Sequence, residues 1–103
     1  MTRVRYEPGR FCLTVAGHAG AGPRGQDLVC AALSMLTATL EAAAEAQAER
    51  LRPTVRRSPG RVQIRCRPEP DSRGLCRCVF ETVFAGFTLL GGQYPDKVSI
   101  TIE

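Results

Sequence analysis

One histidine and one cysteine, at the two ends of a glycine-rich segment, are the residues of this chain best suited to chemistry together. His18 is the only histidine, so catalysis by an imidazole has to use this side chain, and a His-rich metal site is excluded. Cys30 follows the glycine-rich residues 17–25. A thiol activated by a neighbouring imidazole is the nucleophile of cysteine hydrolases. The pair therefore suggests the hypothesis of a Cys–His hydrolase.

The predicted position of Cys30 would activate its thiol. Asp27 is a good N-cap residue, and a helix that begins after it places Cys30 in the first turn, among N–H groups without partners inside the helix. The partial positive charge of that turn favours a thiolate. The same N–H groups, including that of Cys30, could bind the oxyanion of a tetrahedral intermediate. Nucleophile, base and oxyanion donors would then come from one short segment.

Two further polar residues, Asp27 and Ser34, are candidates for supporting roles. Ser34 shares a helix face with Cys30, and it could contact the thiolate, line the cleft or bond back to a helix carbonyl. Asp27 could orient His18 or serve only as a cap. Cys30 itself could be a small core residue, and His18 an ordinary loop residue. Spacing alone leaves these alternatives open.

The elements that must position these residues are two hairpins, two helices and a last strand. Alternation of apolar and polar residues predicts the strands, with Val4 and Tyr6 on one side and Arg3 and Arg5 on the other. Residues 7–10 predict a type II turn with Gly9 at its third position. The remaining predicted strands are residues 11–16, with Phe11, Leu13 and Val15 on one face; residues 54–57 and 61–67 around a turn at 58–60; and a strand with Val98, Ile100 and Ile102 on one face.

Apolar stripes at helical spacing predict the two helices. The first runs from Asp27 to about Arg50, and a solvent-facing stripe of glutamates follows its second half. Asp71 or Ser72 caps the second helix, and residues 91–92 (Gly-Gly) end it. The two apolar stripes are Val29, Leu33, Leu36 and Leu40, and Leu75, Val79, Val83, Phe87 and Leu90; the glutamates are Glu41, Glu45 and Glu49. The order ββαββαβ predicts a single small α+β domain over residues 1–103, with both helices on one face of a mixed sheet.

Composition indicates a globular protein, and the cytoplasm is its expected compartment. The chain has 103 residues, of which 44% are hydrophobic and 23% charged, which suits one modest core. Residues 28–36, the longest apolar run, are too short to cross a membrane, and residues 1–5 lack the apolar segment of a signal peptide. Reduced thiols are therefore expected. Packing is the expected role of the other four cysteines, and two of them lie too close together for a zinc knuckle; these are Cys12, Cys66, Cys76 and Cys78.

Two motifs connect these residues to a known family. Residues 17–20 read GHAG and residues 25–34 read GQDLVCAALS, which resembles the paired signature of the ribosomal-processing cysteine protease family Prp. The resemblance covers nearly the whole chain, including residues 84–87 (FAGF) and 93–95 (QYP). Residues 21–24 (AGPR) depart from the common pattern of that family, which leaves the substrate preference open.

The resemblance implies an activity and roles for named residues. The implied activity is removal of a short N-terminal extension from a precursor of the twenty-seventh protein of the large ribosomal subunit. Cys30 would be the nucleophile and His18 the general base and acid. The glycine content of the intervening loop, apart from the resemblance, predicts that this loop closes over the substrate. Asp27 and Ser34 would support the dyad, while Gly17 and Gly20 belong to the first motif. The resemblance also implies a homodimer without metal or organic cofactor.

A non-catalytic module that binds RNA or the ribosome is the alternative. The formal net charge is +4, and five arginines cluster on the second predicted hairpin. Such a surface could neutralise phosphates, keep an enzyme near ribosomes or contact a second subunit. The signal is weak, because no aromatic side chains alternate with these arginines to stack on bases. The clustered residues are Arg56, Arg57, Arg61, Arg65 and Arg67.

Overall fold

The structure is a computed structural model, and it describes residues 1–17 and 27–103. The ββαββαβ order is confirmed, with one short extra helix after the first long one. The strands are β1 (Thr2–Glu7), β2 (Cys12–Ala16), β3 (Pro53–Ser58), β4 (Arg61–Cys66) and β5 (Val98–Ile102), and the helices are α1 (Leu28–Ala46), α2 (Ala48–Leu51) and α3 (Arg73–Gln93).

The predicted mixed sheet is confirmed. Its order is β3-β4-β2-β1-β5, and only the β1–β5 pair is parallel. Val4 and Tyr6 of β1 are buried in the core together with Leu13 and Ile64 of the neighbouring strands. Their register partners place all of them on one face, where α1 and α3 pack against the sheet and each other. The opposite face carries the polar side chains.

The first helical region ends near Arg50 as predicted, but it is two helices instead of one. α1 stops at Ala46, Gln47 interrupts the helical geometry, and α2 carries the chain on to the buried Leu51. The expectation that all three glutamates face solvent is wrong for Glu41, which is partly covered and forms an ion pair with Arg57 of β3. β3 packs against α1, and the side chain of Arg57 extends from the strand to Glu41 on the helix.

The predicted type II turn after β1 is wrong. Residues 8–10 form a 3₁₀ turn, and the left-handed conformation falls on Phe11, with a φ of 47°, instead of on Gly9. The Phe11 N–H donates to the Pro8 carbonyl at 3.2 Å. Phe11 therefore belongs to the turn, and β2 begins one residue later than predicted, at Cys12.

The predicted end and the predicted stripe of α3 need correction. Ser72 is the N-cap residue but makes no side-chain capping bond, and the helix continues through Gly91 and Gly92 to Gln93. Val83 and Phe87 are buried as predicted, while the other three residues of the predicted stripe lie at its half-buried border. The buried stripe of α3 is Cys76, Phe80, Val83, Phe84 and Phe87.

Two helical segments, Leu28–Ala46 and Pro70–Gln93, are long and apolar enough to span a membrane, each with a mean hydropathy of 1.4. The expectation that residues 28–36 are too short to cross a membrane is thus wrong about the length of the apolar segment. Small residues after residue 36 lengthen the segment without making it polar. Both segments also carry buried residues that pack on the sheet, such as Leu40 and Phe80. Core helices of globular domains have the same composition.

Candidate active site

The first turn of α1 holds the candidate nucleophile, and its predicted cap is confirmed. Asp27 has extended backbone geometry, with φ −82° and ψ 90°, and its Oδ1 accepts a hydrogen bond from the Cys30 N–H at 2.9 Å. Cys30 is the third residue of the helix and is half-buried against the core. The thiol therefore lies at the positive end of the helix, where a thiolate is favoured.

The same cap corrects the expected set of oxyanion donors. Because the Cys30 N–H donates to Asp27, and the Ala31 N–H donates to the Asp27 carbonyl at 3.2 Å, neither is directed at a substrate. Within residues 1–17 and 27–103, the amides of Leu28 and Val29 have no such bond. The expectation that the Cys30 amide binds the oxyanion is wrong for this conformation, and the first two amides of the helix are the donors that remain in this turn.

Cys30 opens onto a cavity of about 350 Å³ between α1 and the nearby end of the sheet. Ser34 lies one turn further along the same wall, as its spacing predicted, beside Leu33. Val15 and Val62 supply apolar side chains from β2 and β4. The cavity therefore combines a thiol, a hydroxyl and an apolar lining, which together could accept an extended peptide.

Gly17 fixes the end of β2 at this cavity. Its φ is +94°, and a Cβ at this position would lie 2.5 Å from the Met1 carbonyl oxygen. Its N–H donates to the Gly60 carbonyl at 2.8 Å. A glycine is thus required here by both conformation and space. His18 is the next residue, but it lies outside the described residues, as does Gly20, so the Cys–His dyad and the closure of the loop stay predictions.

Five polar residues of the cavity wall were missed by the sequence analysis as site residues: Thr2, Thr37, Arg57, Ser58 and Arg61. Arg57 lies on the helix-facing side of β3, because its register partner is the core-facing Val62. Alternation along β3 already separates Arg57 from Arg56, and this was the available signal. Thr2 and Thr37 gave none, since only strand pairing and helix packing bring them to Cys30.

The other thiols differ from Cys30 in their surroundings. Burial raises the pKa of Cys66 to about 12, and a hydrogen bond to Cys76 adds to the effect. Burial likewise raises the pKa of Cys76. These two thiols and the buried Cys12 pack in the structure, but Cys78 is exposed, so the expectation of a packing role is wrong for that residue.

Comparisons with known proteins point to one family. The family described as cysteine protease Prp matches residues 3–99. The chain is 19% identical, with a TM-score of 0.85, to an essential ribosomal processing protease Prp from S. aureus bound covalently to a product peptide, and both chains are covered completely. SMU.848 from Streptococcus mutans is 26% identical, with a TM-score of 0.69 over 98% of this chain and 90% of the other. No match was found among curated proteins.

Proposed function

This chain belongs to the cysteine protease Prp family, and from that premise we propose that it removes an N-terminal extension from the precursor of the twenty-seventh protein of the large ribosomal subunit. The observation that carries the proposal is Cys30 in the capped first turn of α1, at the wall of a cavity lined by apolar side chains. Crystal structures of the S. aureus Prp with a product peptide and with a substrate peptide support a peptide ligand.

The proposed mechanism uses His18 as both base and acid. His18 takes the proton from the Cys30 thiol, and the thiolate sulfur attacks the scissile carbonyl carbon. The amides of Leu28 and Val29 stabilise the resulting oxyanion. When the C–N bond breaks, His18 gives the proton to the departing amine. Water then hydrolyses the thioester, which releases the new carboxylate and restores the thiol.

In this proposal the supporting residues position the catalytic groups and the substrate. Asp27 fixes the first turn through its bond to the Cys30 amide, and its carboxylate is close enough in sequence to orient His18. Ser34 of α1 and Arg61 of β4 line the Cys30 cavity from the helix side and the sheet side. Gly17 sets the direction in which the chain leaves β2 toward His18. No metal or organic cofactor takes part in these steps.

We also propose that the protein works in the cytoplasm as a homodimer. The support for dimerisation is an apolar surface on the outer side of α1, α3 and β5. Three of its large side chains are strongly exposed: Met35 at 67%, Leu89 at 71% and Ile102 at 64%. Leu89 lines two neighbouring depressions, one shared with Met35 and the other with Ile102. A monomer that kept this surface would expose it to water, and such surfaces usually mark interfaces.

Incubation of the purified protein with the precursor, followed by mass spectrometry, tests the protease proposal. We expect a single cut near the N-terminus of the precursor. Cys30→Ala and His18→Ala should each abolish the cut, whereas Cys78→Ala, which removes an exposed thiol elsewhere, should leave the rate unchanged. Absence of cleavage by the unmodified protein, or full activity of Cys30→Ala, would contradict the proposal and favour the non-catalytic alternative.

A further inference from the structure

The face of the sheet that the helices leave open is rich in arginine. The strand register puts Arg3 and Arg5 of β1 on this face, together with Arg61 and Arg65 of β4 and Arg56 of β3. The clustering noticed in the sequence is thus confirmed only in part, because Arg57 turns to the helix side and pairs with Glu41. Arg3 and Arg5 of β1, which are distant in sequence from the second hairpin, belong to the cluster as well.

Few carboxylates neutralise this surface. Glu7 and Glu103 pair with Arg5, Glu7 also pairs with Arg10, and Glu81 pairs with Arg77 of α3. In the part of the chain that the structure describes, six other arginines on or beside this face have no ion pair: Arg3, Arg56, Arg61, Arg65, Arg67 and Arg73. Most acidic residues lie elsewhere, including the three glutamates of α1 and α2. The net charge of +4 therefore understates the local positive charge.

The open face leads into a groove of about 390 Å³ at the far end of β4, lined by Arg10, Arg65, Arg67, Arg73 and Arg77. No carboxylate of the described residues lines it, although Arg10 and Arg77 pair with glutamates outside the groove. Two of these arginines have surroundings that bear on anion binding. Arg77 stacks over the Phe11 ring at 5.6 Å, and Arg65 Nε is buried without a hydrogen-bond partner among the described residues. Arg65, Arg67 and Arg73 share this groove without an ion pair among the described residues. Like charges in one groove repel one another, and a bound anion removes that repulsion.

We propose that this groove and the adjoining sheet face, from here on the arginine surface, bind the phosphate backbone of RNA. A guanidinium group binds phosphate through two parallel hydrogen bonds. From Arg61 to Arg67 the surface extends about 20 Å along β4, which suits a polyanion with regularly spaced charges better than a single small anion. Among the described residues, the aromatic side chain of this surface is Phe11, which is buried beneath Arg77. Contacts to the backbone should therefore make binding insensitive to sequence.

The groove of the arginine surface and the Cys30 cavity lie at opposite ends of β4. Arg61 lines the cavity, whereas Arg67 lines the groove. RNA and a peptide could therefore be bound at the same time, and RNA binding would hold the enzyme where ribosomal proteins are assembled. The choice of RNA over DNA rests on the proposed function, whereas the binding of a phosphate backbone rests on the arginine surface alone.

Fluorescence anisotropy with a labelled RNA hairpin at a series of salt concentrations tests this proposal. The variant is R67Q/R73Q, because both side chains are exposed, line the groove and have no ion pair in the described segments. The matched control is R50Q/K97Q, which removes the same charge outside the groove. Each lost phosphate contact lowers the slope of log K against log salt by roughly 0.7 to 0.9. We expect R67Q/R73Q to lower the slope by about 1.5 and the control to leave it unchanged.

Two competitors and one activity assay complete the test. Equal slopes for the two double variants, or displacement of the RNA by polyglutamate as effective as by unlabelled RNA, would overturn the proposal. Competition by a DNA hairpin as strong as by RNA would overturn the choice of RNA. R67Q/R73Q should still cleave a free precursor peptide, and Cys30→Ala should still bind RNA, so failure of this proposal and failure of the protease proposal are distinguishable.

Discussion

Asp27 controls the geometry of the candidate nucleophile through one hydrogen bond to the Cys30 amide. Replacement of Asp27 by Ala removes the cap and should lower the free energy of unfolding by about 0.5–2 kcal/mol. Asp27→Asn should keep most of the stability, because asparagine caps helices about as well as aspartate. Urea denaturation of both variants measures the difference, and equal stability of Asp27→Ala and the unmodified protein would contradict the role of the cap.

Asp27→Asn also separates the two roles considered for this residue. If the carboxylate orients His18, the variant should lose kcat while its stability and KM stay close to those of the unmodified protein. Unchanged kcat would show that Asp27 is a cap only.

Residue roles were predictable from the sequence where they depend on local contacts. Asp27 and Cys30 are three positions apart, so capping rules were sufficient to place both. The roles of Thr2 and Arg57 depend on strand register and on packing against α1, which no short segment specifies. Cys78 was misjudged because a half-turn of helix separates exposed from buried positions, and the predicted stripe of α3 was displaced.

The end of α3 shows how tertiary packing overrides a local signal. Gly91 and Gly92 favour a helix end, yet α3 continues because Gly91 lets the helix approach β5. A Cβ at Gly91 would lie 2.7 Å from Ile100 Cγ1, whereas a Cβ at Gly92 meets nothing within 4 Å. The order of elements along the chain and the core face of α1 were predictable, since they follow from alternation and helical spacing, whereas the predicted stripe of α3 was displaced.

This difference predicts that alanine at these two adjacent positions changes the stability of the protein differently. Gly92→Ala should raise the free energy of unfolding by about 0.5–1 kcal/mol, because alanine is the better helix former. Gly91→Ala should be less stable than Gly92→Ala, because Ile100 has to move. Thermal unfolding of the two variants compares them directly, and equal stabilities would show that α3 does not approach β5 this closely.

The buried thiols that link β4 and α3 predict a loss of stability at high pH. Burial raises the pKa of Cys66 from 9.0 to about 12. Below pH 9 the thiol is protonated in both the folded and the unfolded chain, so its contribution to the free energy of unfolding does not change with pH there. Between pH 9 and 12 mainly the unfolded chain loses the proton, and the free energy of unfolding should fall by about 1.4 kcal/mol per pH unit for this thiol.

Urea denaturation between pH 8 and 11 measures this slope. Cys66→Ala should have a shallower slope than the unmodified protein, whatever its stability at neutral pH. Cys78→Ala, which removes an exposed thiol, is the control and should keep the full slope. Parallel curves for Cys66→Ala and the unmodified protein would show that the Cys66 thiol is not protected from ionisation.

At the scale of the whole molecule, charge and apolar surface are separated. The open side of the sheet carries the arginine surface, and the outer side of α1 and α3 carries exposed Met35 and Leu89. The two proposals for assembly therefore use different sides of the domain. Dimerisation through the helices would leave the arginine surface accessible to RNA.

A charge placed in the apolar surface should disrupt the proposed dimer. Leu89→Glu is expected to convert the protein to a monomer, because Leu89 is 71% exposed and a buried unpaired carboxylate is costly. Ala48→Glu introduces the same charge at an exposed position of α2 and serves as control. Analytical ultracentrifugation measures both masses. A dimeric Leu89→Glu variant, or a monomeric unmodified protein, would contradict the proposed interface or the proposed dimer, respectively.

The central claim is that one of five thiols is an activated nucleophile, and the rate of alkylation by iodoacetamide at pH 7 tests it most directly. Peptide mass spectrometry follows Cys30 and Cys78 in the same sample. Cys78 is the reference, since it is exposed and lies beyond the first turn of α3, whereas Cys30 is half-buried in the first turn of α1. We predict that Cys30 reacts at least about tenfold faster, as expected for a thiolate at a helix N-terminus beside a histidine, and that His18→Ala slows Cys30 alone. A Cys30 that reacts no faster than Cys78 would contradict the account.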